Sequence, residues 1–199
     1  FTDRRQRQMC IRDRVKGKAL DLMQLRPHDG YDSEICGTSN YRDISGADVV
    51  IITAGIPRKP GMSRDDLLSI NLKIISDVAE NVKKYAPDAF VIVVSNPLDA
   101  IVYAFHKVSG FSKNKVIGMA GALDSVRFKT FLSMETGYSV QDIQCMVLGG
   151  HGDTMVPLTR LASIGGIPAN ELISEKRLKE IVERTRFGGG ELVLSLIHI

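Results

Sequence analysis

The sequence predicts a doubly wound α/β fold built on a parallel sheet. Short β-branched runs bounded by glycine or proline alternate with longer segments whose apolar residues recur every three or four positions. The short runs are continuously apolar, which is typical of parallel strands buried on both faces. Neither internal repeats nor low-complexity segments interrupt this order.

Composition narrows the class of protein. The 199 residues are 44% hydrophobic and 25% charged, as in an ordinary globular protein. Five Arg and two Asp in residues 1–14 account for the net charge of +3, and the remainder carries 21 basic and 21 acidic residues. Because residues 15–199 have no net charge, the composition gives no indication of nucleic-acid binding.

Targeting and cysteine signals are also weak. No apolar run reaches the roughly 18 residues of a membrane span, and no signal segment opens the sequence, so a cytoplasmic protein without a membrane partner is the default expectation. The three cysteines are widely spaced and form no C-x-x-C pair, which predicts free thiols and no metal site: Cys10, Cys36 and Cys145.

The two ends of the sequence look foreign to the rest. Residues 1–14 begin without Met, contain few apolar residues and show neither helical nor strand periodicity. This favours a non-native leader, with a natural disordered tail as the alternative. Residues 195–199 also look like a non-native tail.

The first half of the body contains two helices and one strand. Residues 15–25 are a short helix candidate, and the β-branched run 47–53 predicts a buried strand. After the Pro- and Gly-rich loop 55–62, Ser63 followed by acids predicts a helix N-terminus. The helix extends to Pro87 with an apolar face made of Leu68, Leu72, Ile75, Ala79 and Val82.

The second half continues the alternation. The predicted elements are a strand at 89–94, a helix at 99–108, a strand at 115–119, a helix at 123–134 stopped near Gly137, a strand at 143–148, and two polar-faced helices through Arg186. In a parallel sheet, ligands bind outside the carboxyl ends of the strands. Those ends are Thr53-Ala54-Gly55, Ser95-Asn96-Pro97, Met119-Ala120-Gly121 and Gly149-Gly150-His151.

His151 is the candidate general acid/base. Two glycines before it and one after it allow a sharp turn and a close ligand approach, and imidazole titrates near neutral pH. The alternative is a surface or core histidine with satisfied hydrogen bonds and no part in catalysis.

Three arginines are candidates for binding a carboxylate, because a guanidinium is a planar, permanently charged fork. Arg58 lies in the Pro/Gly loop and Arg64 at the start of the following helix. Solvated loop arginines are the alternative for these two. Arg127 follows Asp124 by three residues, so an intrahelical ion pair is its alternative.

Four motifs in order resemble the malate dehydrogenase family, in its lactate-dehydrogenase-like branch. The resemblance extends from about Val15 to about Val193 and implies an incomplete doubly wound, Rossmann-like NAD-binding domain at 15–121 and part of an α+β substrate domain at 122–194. The motifs are Ile52 to Leu67, Val94 to Asp99, Leu123 to Phe128 and Gly149 to Pro157.

The resemblance implies NAD-dependent interconversion of (S)-malate and oxaloacetate, a step of the tricarboxylic acid cycle. In the family the residue matching His151 takes the hydroxyl proton, and the one matching Asp124 holds the imidazole. The residue matching Arg127 binds the carboxylate beside the reacting carbon. Those matching Arg64 and Arg58 polarise the carbonyl and bind the distal carboxylate.

The family also implies the remaining contacts. Asn96 would contact substrate and cofactor together. A homodimer or homotetramer is implied for the full-length protein, and lactate dehydrogenase is disfavoured because it usually has Gln where Arg58 stands. The residues implied along the nicotinamide side of NAD are Thr53, Ala54, Gly55, Asn71, Val94, Ser95 and Asn96.

The sequence departs from the family at both ends. It lacks the opening strand, the G-x-G-x-x-G turn and the acidic residue that binds the adenosine ribose. It also lacks the family's final helices after an expected turn at Gly188-Gly189-Gly190. Without the pyrophosphate-binding turn, weak or absent NAD binding is expected. A second hypothesis is therefore a non-catalytic fragment able at most to self-associate, with exposed sheet surface.

Overall fold

The structure is a computed structural model that describes residues 4–57 and 63–196. The description of residues 4–13, Arg64 and 192–196 covers the backbone alone. Among the described residues, no helix combines the length and apolar character needed to cross a membrane.

The chain begins with a helix that is longer than the sequence predicts. Helix α1 spans Arg4–Gln24, and a single turn, α2, follows at Arg26–Asp29. The sequence of residues 1–14 shows no helical periodicity, yet residues 4–14 are helical. The expectation of a non-native leader stays a prediction. Residues 4–14 are rich in Arg and Gln, whose unbranched side chains favour helix without any amphipathic periodicity.

A three-stranded parallel sheet forms the centre of the first half, which confirms the α/β fold class. Its strands are β1 (Val49–Ile52), β2 (Phe90–Val93) and β3 (Val116–Gly118), in the order β1-β2-β3. Helix α3 (Arg64–Tyr85) connects the first two strands, and helix α4 (Leu98–Ser109) connects the second pair. The parallel register places Ile52 opposite Val93 and Val93 opposite Gly118.

Both connecting helices pack on the same face of this sheet. Because crossovers between parallel strands are right-handed, a strand order that advances without reversal places successive helices on one side. The shared core includes Ile75 of α3, Val91 and Val93 of β2, and Phe105 of α4. Helices α3 and α4 thus cover one face of the sheet.

The opposite face of the sheet is partly exposed, which corrects the expectation of strands buried on both faces. Val49 and Ile51 of β1 are 53% and 63% exposed, and Phe90 and Ile117 lie on the same face by register. No described helix covers these side chains, so continuous apolar character in the sequence did not mean burial on both sides here.

Helix α3 begins and ends where its local signals predict. The Ser63 hydroxyl accepts a hydrogen bond from the Asp66 amide at 3.0 Å, and the Asp66 carboxylate accepts one from the Ser63 amide at 3.2 Å. This reciprocal pair satisfies two amides that have no partner within the helix. The helix ends at Tyr85, and Pro87 follows the Ala86 cap.

The second half combines helices with two small antiparallel sheets. Helix α5 (Gly121–Thr136) is capped by Gly137, whose φ of 74° favours glycine. The later elements are β4 (Ile143–Gln144), β5 (Val147–Gly149), β6 (Met155–Pro157), β7 (Ser163–Ile164), β8 (Ile167–Pro168), α6 (Ala169–Leu172) and α7 (Glu175–Leu196). Short 3-10 helices occur at Tyr41–Ile44, Lys113–Lys115, Val140–Asp142 and Thr159–Leu161.

The expected fourth parallel strand at 143–148 is instead two strands in different sheets. Strand β4 pairs antiparallel with β7, whereas β5 pairs antiparallel with β6. The run is interrupted at Cys145 and Met146, where Met146 is 51% exposed. Long-range pairing, which periodicity does not reveal, decides this division.

Helix α7 continues through the three glycines at 188–190, where the sequence predicts a turn. It also extends past Arg186, the expected end. Gly188 is buried where α7 packs against α5, together with a core that includes Phe128, Leu132 and Ile181. Close packing between the helices overrides the low helix propensity of glycine.

Candidate active site

The histidine lies in a tight loop between β5 and β6. Gly149 has a φ of +87°, and a Cβ on it would lie 2.7 Å from the carbonyl oxygen of Thr154. A Cβ on Gly150 would lie 2.4 Å from the Thr154 hydroxyl. Side chains at these two positions would force the loop open, so the glycines fix the backbone that carries His151.

The imidazole of His151 is held by a buried carboxylate. Its Nδ1 lies 2.9 Å from Oδ2 of Asp124, an α5 residue that is 1% exposed. The His151 side chain itself is 21% exposed. A carboxylate at Nδ1 leaves Nε2, on the other side of the ring, as the nitrogen that can exchange a proton with a ligand.

The same carboxylate binds Arg127. The Arg127 Nη1 lies 3.2 Å from Oδ1 of Asp124, and its side chain is 17% exposed. The intrahelical pair that was the alternative for Arg127 is therefore present. Asp124 contacts Arg127 through Oδ1 and His151 through Oδ2, so one carboxylate holds the guanidinium near the imidazole.

A second group of candidate residues lies at the carboxyl ends of β1 and β2. The Ser95 hydroxyl donates to the carbonyl of Ala54 at 2.6 Å, and the Val94 amide donates to the carbonyl of Ile52 at 2.8 Å. These bonds hold the two strand ends side by side. Of the candidates there, Thr53, Gly55 and Asn96 are exposed.

The side chain of Asn71 forms hydrogen bonds with the segments that follow both strands. Its amide nitrogen donates to the carbonyl of Asn96 at 2.8 Å, and its amide oxygen accepts from the amide of Ile56 at 2.9 Å. The side chain is 2% exposed. A Cβ on Gly55, where φ is +151°, would lie 3.3 Å from Asn71 Oδ1. The observed role of Asn71 is thus to support the loops that carry Gly55 and Asn96.

Asp99 connects the two groups and was missed as a site residue. It lies in the first turn of α4, and its Oδ2 accepts a hydrogen bond from the His151 amide at 3.1 Å. The sequence contained a signal, since Asp99 is the last residue of the Val94 to Asp99 motif. Nothing local, however, indicated a partner 52 residues away.

Comparison with known proteins identifies the family. Residues 8–118 match the model for the lactate/malate dehydrogenase NAD binding domain, and residues 121–195 match the model for its alpha/beta C-terminal domain. The chain belongs to the lactate/malate dehydrogenase family. The malate dehydrogenase of Myxococcus xanthus is 59% identical over 179 residues, which is 90% of this chain and 57% of that protein.

Solved structures of this family share the fold. The apo malate dehydrogenase of Picrophilus torridus has a TM-score of 0.86 and 48% identity, covering 92% of this chain and 58% of that one. A Cryptosporidium parvum lactate dehydrogenase, complexed with lactic acid and β-nicotinamide adenine dinucleotide, has a TM-score of 0.84 and 48% identity, covering 92% and 59%. The chain thus spans somewhat more than half the length of these relatives.

Two candidate arginines of the family resemblance are not placed by the structure. Arg58 lies outside the described residues, and Arg64 is described only as the first backbone position of α3. The structure does bring together His151, Asp124 and Arg127. Within the described part of the chain, no cluster of three or more His, Cys, Asp or Glu residues could hold a metal ion.

Proposed function

We propose that the whole protein containing this chain catalyses the NAD-dependent interconversion of (S)-malate and oxaloacetate. The supporting observation is the contact between His151 Nδ1 and Asp124 Oδ2 at 2.9 Å, with Arg127 on the other carboxylate oxygen. The names of the relatives support the choice of substrate, because the similar curated proteins are malate dehydrogenases.

His151 is the proton acceptor for the malate hydroxyl at Nε2, and the proton returns from this atom in the reverse direction. As the ring becomes an imidazolium, the negative charge of Asp124 stabilises it and holds its orientation. Because Asp124 is buried, little solvent screens this interaction.

Arg127 binds the carboxylate next to the reacting carbon in this proposal. Arg64 polarises the carbonyl of oxaloacetate, and Arg58 binds the distal carboxylate. A dicarboxylate enclosed away from water requires such cationic partners, because a buried unpaired charge costs about 3–5 kcal/mol. Asn96 contacts both substrate and cofactor.

The described residues fit the nicotinamide half of NAD. Thr53, Gly55 and Asn96 are exposed at the carboxyl ends of β1 and β2, which the Ser95–Ala54 hydrogen bond holds side by side and where a parallel sheet binds its ligand. When bound, NAD supplies the acceptor for the malate hydride. The residues proposed to hold it are Thr53, Ala54, Gly55, Asn71, Val94, Ser95 and Asn96.

Assembly and location remain proposals. Exposed apolar side chains on α4 and α5, among them Tyr103, Val126 and Met134, support a homodimer or homotetramer. The boundary between the two domains near residue 121 is proposed from the family resemblance. The cytoplasmic location stays a prediction from the sequence.

A non-catalytic fragment is the second candidate for the 199-residue chain itself. The exposed sheet face at Val49 and Ile51 favours it, because an uncovered apolar face promotes self-association. This candidate does not contradict the activity proposed for the whole protein.

The test compares the 199-residue chain with a full-length protein that restores the flanking segments found in its relatives. NADH binding is measured by fluorescence, and oxaloacetate-dependent NADH oxidation by absorbance. We expect activity in the full-length protein and weak or no NADH binding in the shorter chain. A full-length protein that binds NADH but prefers pyruvate, or reduces neither acid, would refute the malate dehydrogenase proposal.

A further inference from the structure

We infer that Asp99 is a positioning residue, which sets the place of His151 relative to the strand ends that carry Asn96. The inference rests on the proposed function for its catalytic consequence. The contact itself is independent of that function: Asp99 Oδ2 accepts a hydrogen bond from the His151 backbone amide at 3.1 Å.

The contact joins two parts of the molecule that are distant in sequence. Asp99 lies in the first turn of α4, directly after the Ser95-Asn96-Pro97 strand end. His151 lies in the loop between β5 and β6, and its imidazole is fixed from the α5 side by Asp124. Asp99 is therefore the contact that fixes the histidine loop from the α4 side.

The loop is shaped to accept this carboxylate. A Cβ on Gly150 would lie 3.0 Å from Asp99 Oδ2, closer than carbon and oxygen atoms normally approach. The absence of a side chain at Gly150 lets the loop backbone rest against the carboxylate. The bond is charge-assisted, and the first turn of a helix favours a negative charge, so α4 stabilises Asp99 in place.

The expected effect on catalysis depends on the placement of His151 relative to Asn96. Proton transfer to His151 and hydride transfer beside Asn96 act on the same substrate, so both groups must be placed together. A displacement of about 1 Å in such an arrangement can lower the rate roughly 100-fold. Loss of the Asp99 bond should thus reduce kcat more than it changes KM for NADH.

The experiment uses three variants of the full-length protein. Asp99→Ala removes the acceptor. Asp99→Ser also removes it, because the shorter hydroxyl cannot reach the loop, and it keeps a polar side chain in the first turn of α4. Asp99→Asn keeps an oxygen acceptor at the same position. Glu175→Ala, which removes an acid from the first turn of α7, is the matched control.

We expect Asp99→Ala and Asp99→Ser to lower kcat by about 10- to 100-fold, with KM for NADH changed by less than about twofold. Asp99→Asn should retain kcat within roughly fivefold, because its amide oxygen accepts the same bond. Glu175→Ala should match the wild type. Folding is checked by circular dichroism.

A second readout separates this inference from the function. Hydrogen exchange of the His151 amide, followed by NMR, should be faster in Asp99→Ala and Asp99→Ser and near wild type in Asp99→Asn. If the wild type fails to reduce oxaloacetate, the proposed function fails, and the exchange rates alone decide the contact. Unchanged exchange in the Ala and Ser variants, or faster exchange without a loss of kcat in an active enzyme, would overturn the positioning role.

Discussion

Replacing Gly188 or Gly190 of α7 by Ala should show whether Gly188 packs against Arg127, because both changes favour the helix but only one places a methyl group near the arginine. A Cβ on Gly188 would lie 3.2 Å from Arg127 Cδ and 3.8 Å from Phe131 Cε2. Non-bonded carbon atoms are normally about 3.5–4.0 Å apart, so the arginine side chain must shift by a few tenths of an ångström. At Gly190, two residues later, no atom of the described residues outside the local helix backbone lies within 4 Å of the same methyl position.

The two substitutions share one energy term and differ in another. Replacing Gly by Ala inside a helix stabilises it by about 1 kcal/mol, which applies at both sites. At Gly190 nothing opposes this gain, and the melting temperature should rise by roughly 2–4 °C. At Gly188 the repacking around a buried methyl costs about 1–3 kcal/mol, which offsets or exceeds the gain. The two variants should therefore differ by about 1–3 kcal/mol.

The assay is thermal unfolding of both variants, followed by steady-state kinetics on the full-length protein. Gly190→Ala should be stabilised with unchanged KM for oxaloacetate. Gly188→Ala should show no stabilisation and a raised KM, because the shifted guanidinium no longer lies where it is proposed to bind the substrate carboxylate. Equal stabilisation of the two variants with equal KM would refute the packing of Gly188 against Arg127.

Three further predictions use other parts of the chain. Arg58→Gln should lower kcat/KM for oxaloacetate relative to pyruvate by about two to four decades, since it removes the charge proposed for the distal carboxylate; unchanged relative values would count against that role. The hydrogen bonds from Ser63 lower the pKa of Asp66, with the side-chain bond the larger cause. The cap therefore stabilises the fold above the ordinary aspartate pKa and loses this effect as the pH falls through the lowered value. The melting temperature of Asp66→Asn should then be below that of wild type at pH 6 and approach it at acid pH, whereas a constant difference would contradict the charge-dependent cap. Burial raises the pKa of the Cys145 thiol, so alkylation at pH 7.5 should modify the exposed Cys36 faster than Cys145, and equal rates would show that Cys145 is accessible.

Local signals predicted the ends of two helices and the candidate histidine. The Ser63 cap, the acids after it and Pro87 together marked both ends of α3, and the glycine at 137 marked the end of α5. These signals act within a few residues of the bond they predict, so a single sequence contains all the information they need. The catalytic candidate His151 was found in the same way, from the glycines that surround it.

Features that depend on distant contacts were not predictable. The division of 143–148 into two strands depends on which later strands they pair with. The exposure of β1 depends on what covers the sheet. The continuation of α7 through Gly188 depends on packing against α5, and the bond between Asp99 and His151 spans 52 residues. Periodicity indicates which residues share a face of a helix or strand, but it does not indicate which other element packs against that face.

The account depends most directly on His151 and Asp124 acting as one unit. A double-mutant cycle on the full-length protein, with His151→Asn and Asp124→Asn measured singly and together, tests this by kcat for oxaloacetate reduction. Each single variant should lose roughly 100- to 10,000-fold, and the double variant should be little worse than His151→Asn alone. Losses that simply multiply, or an Asp124→Asn enzyme with wild-type kcat, would contradict the account.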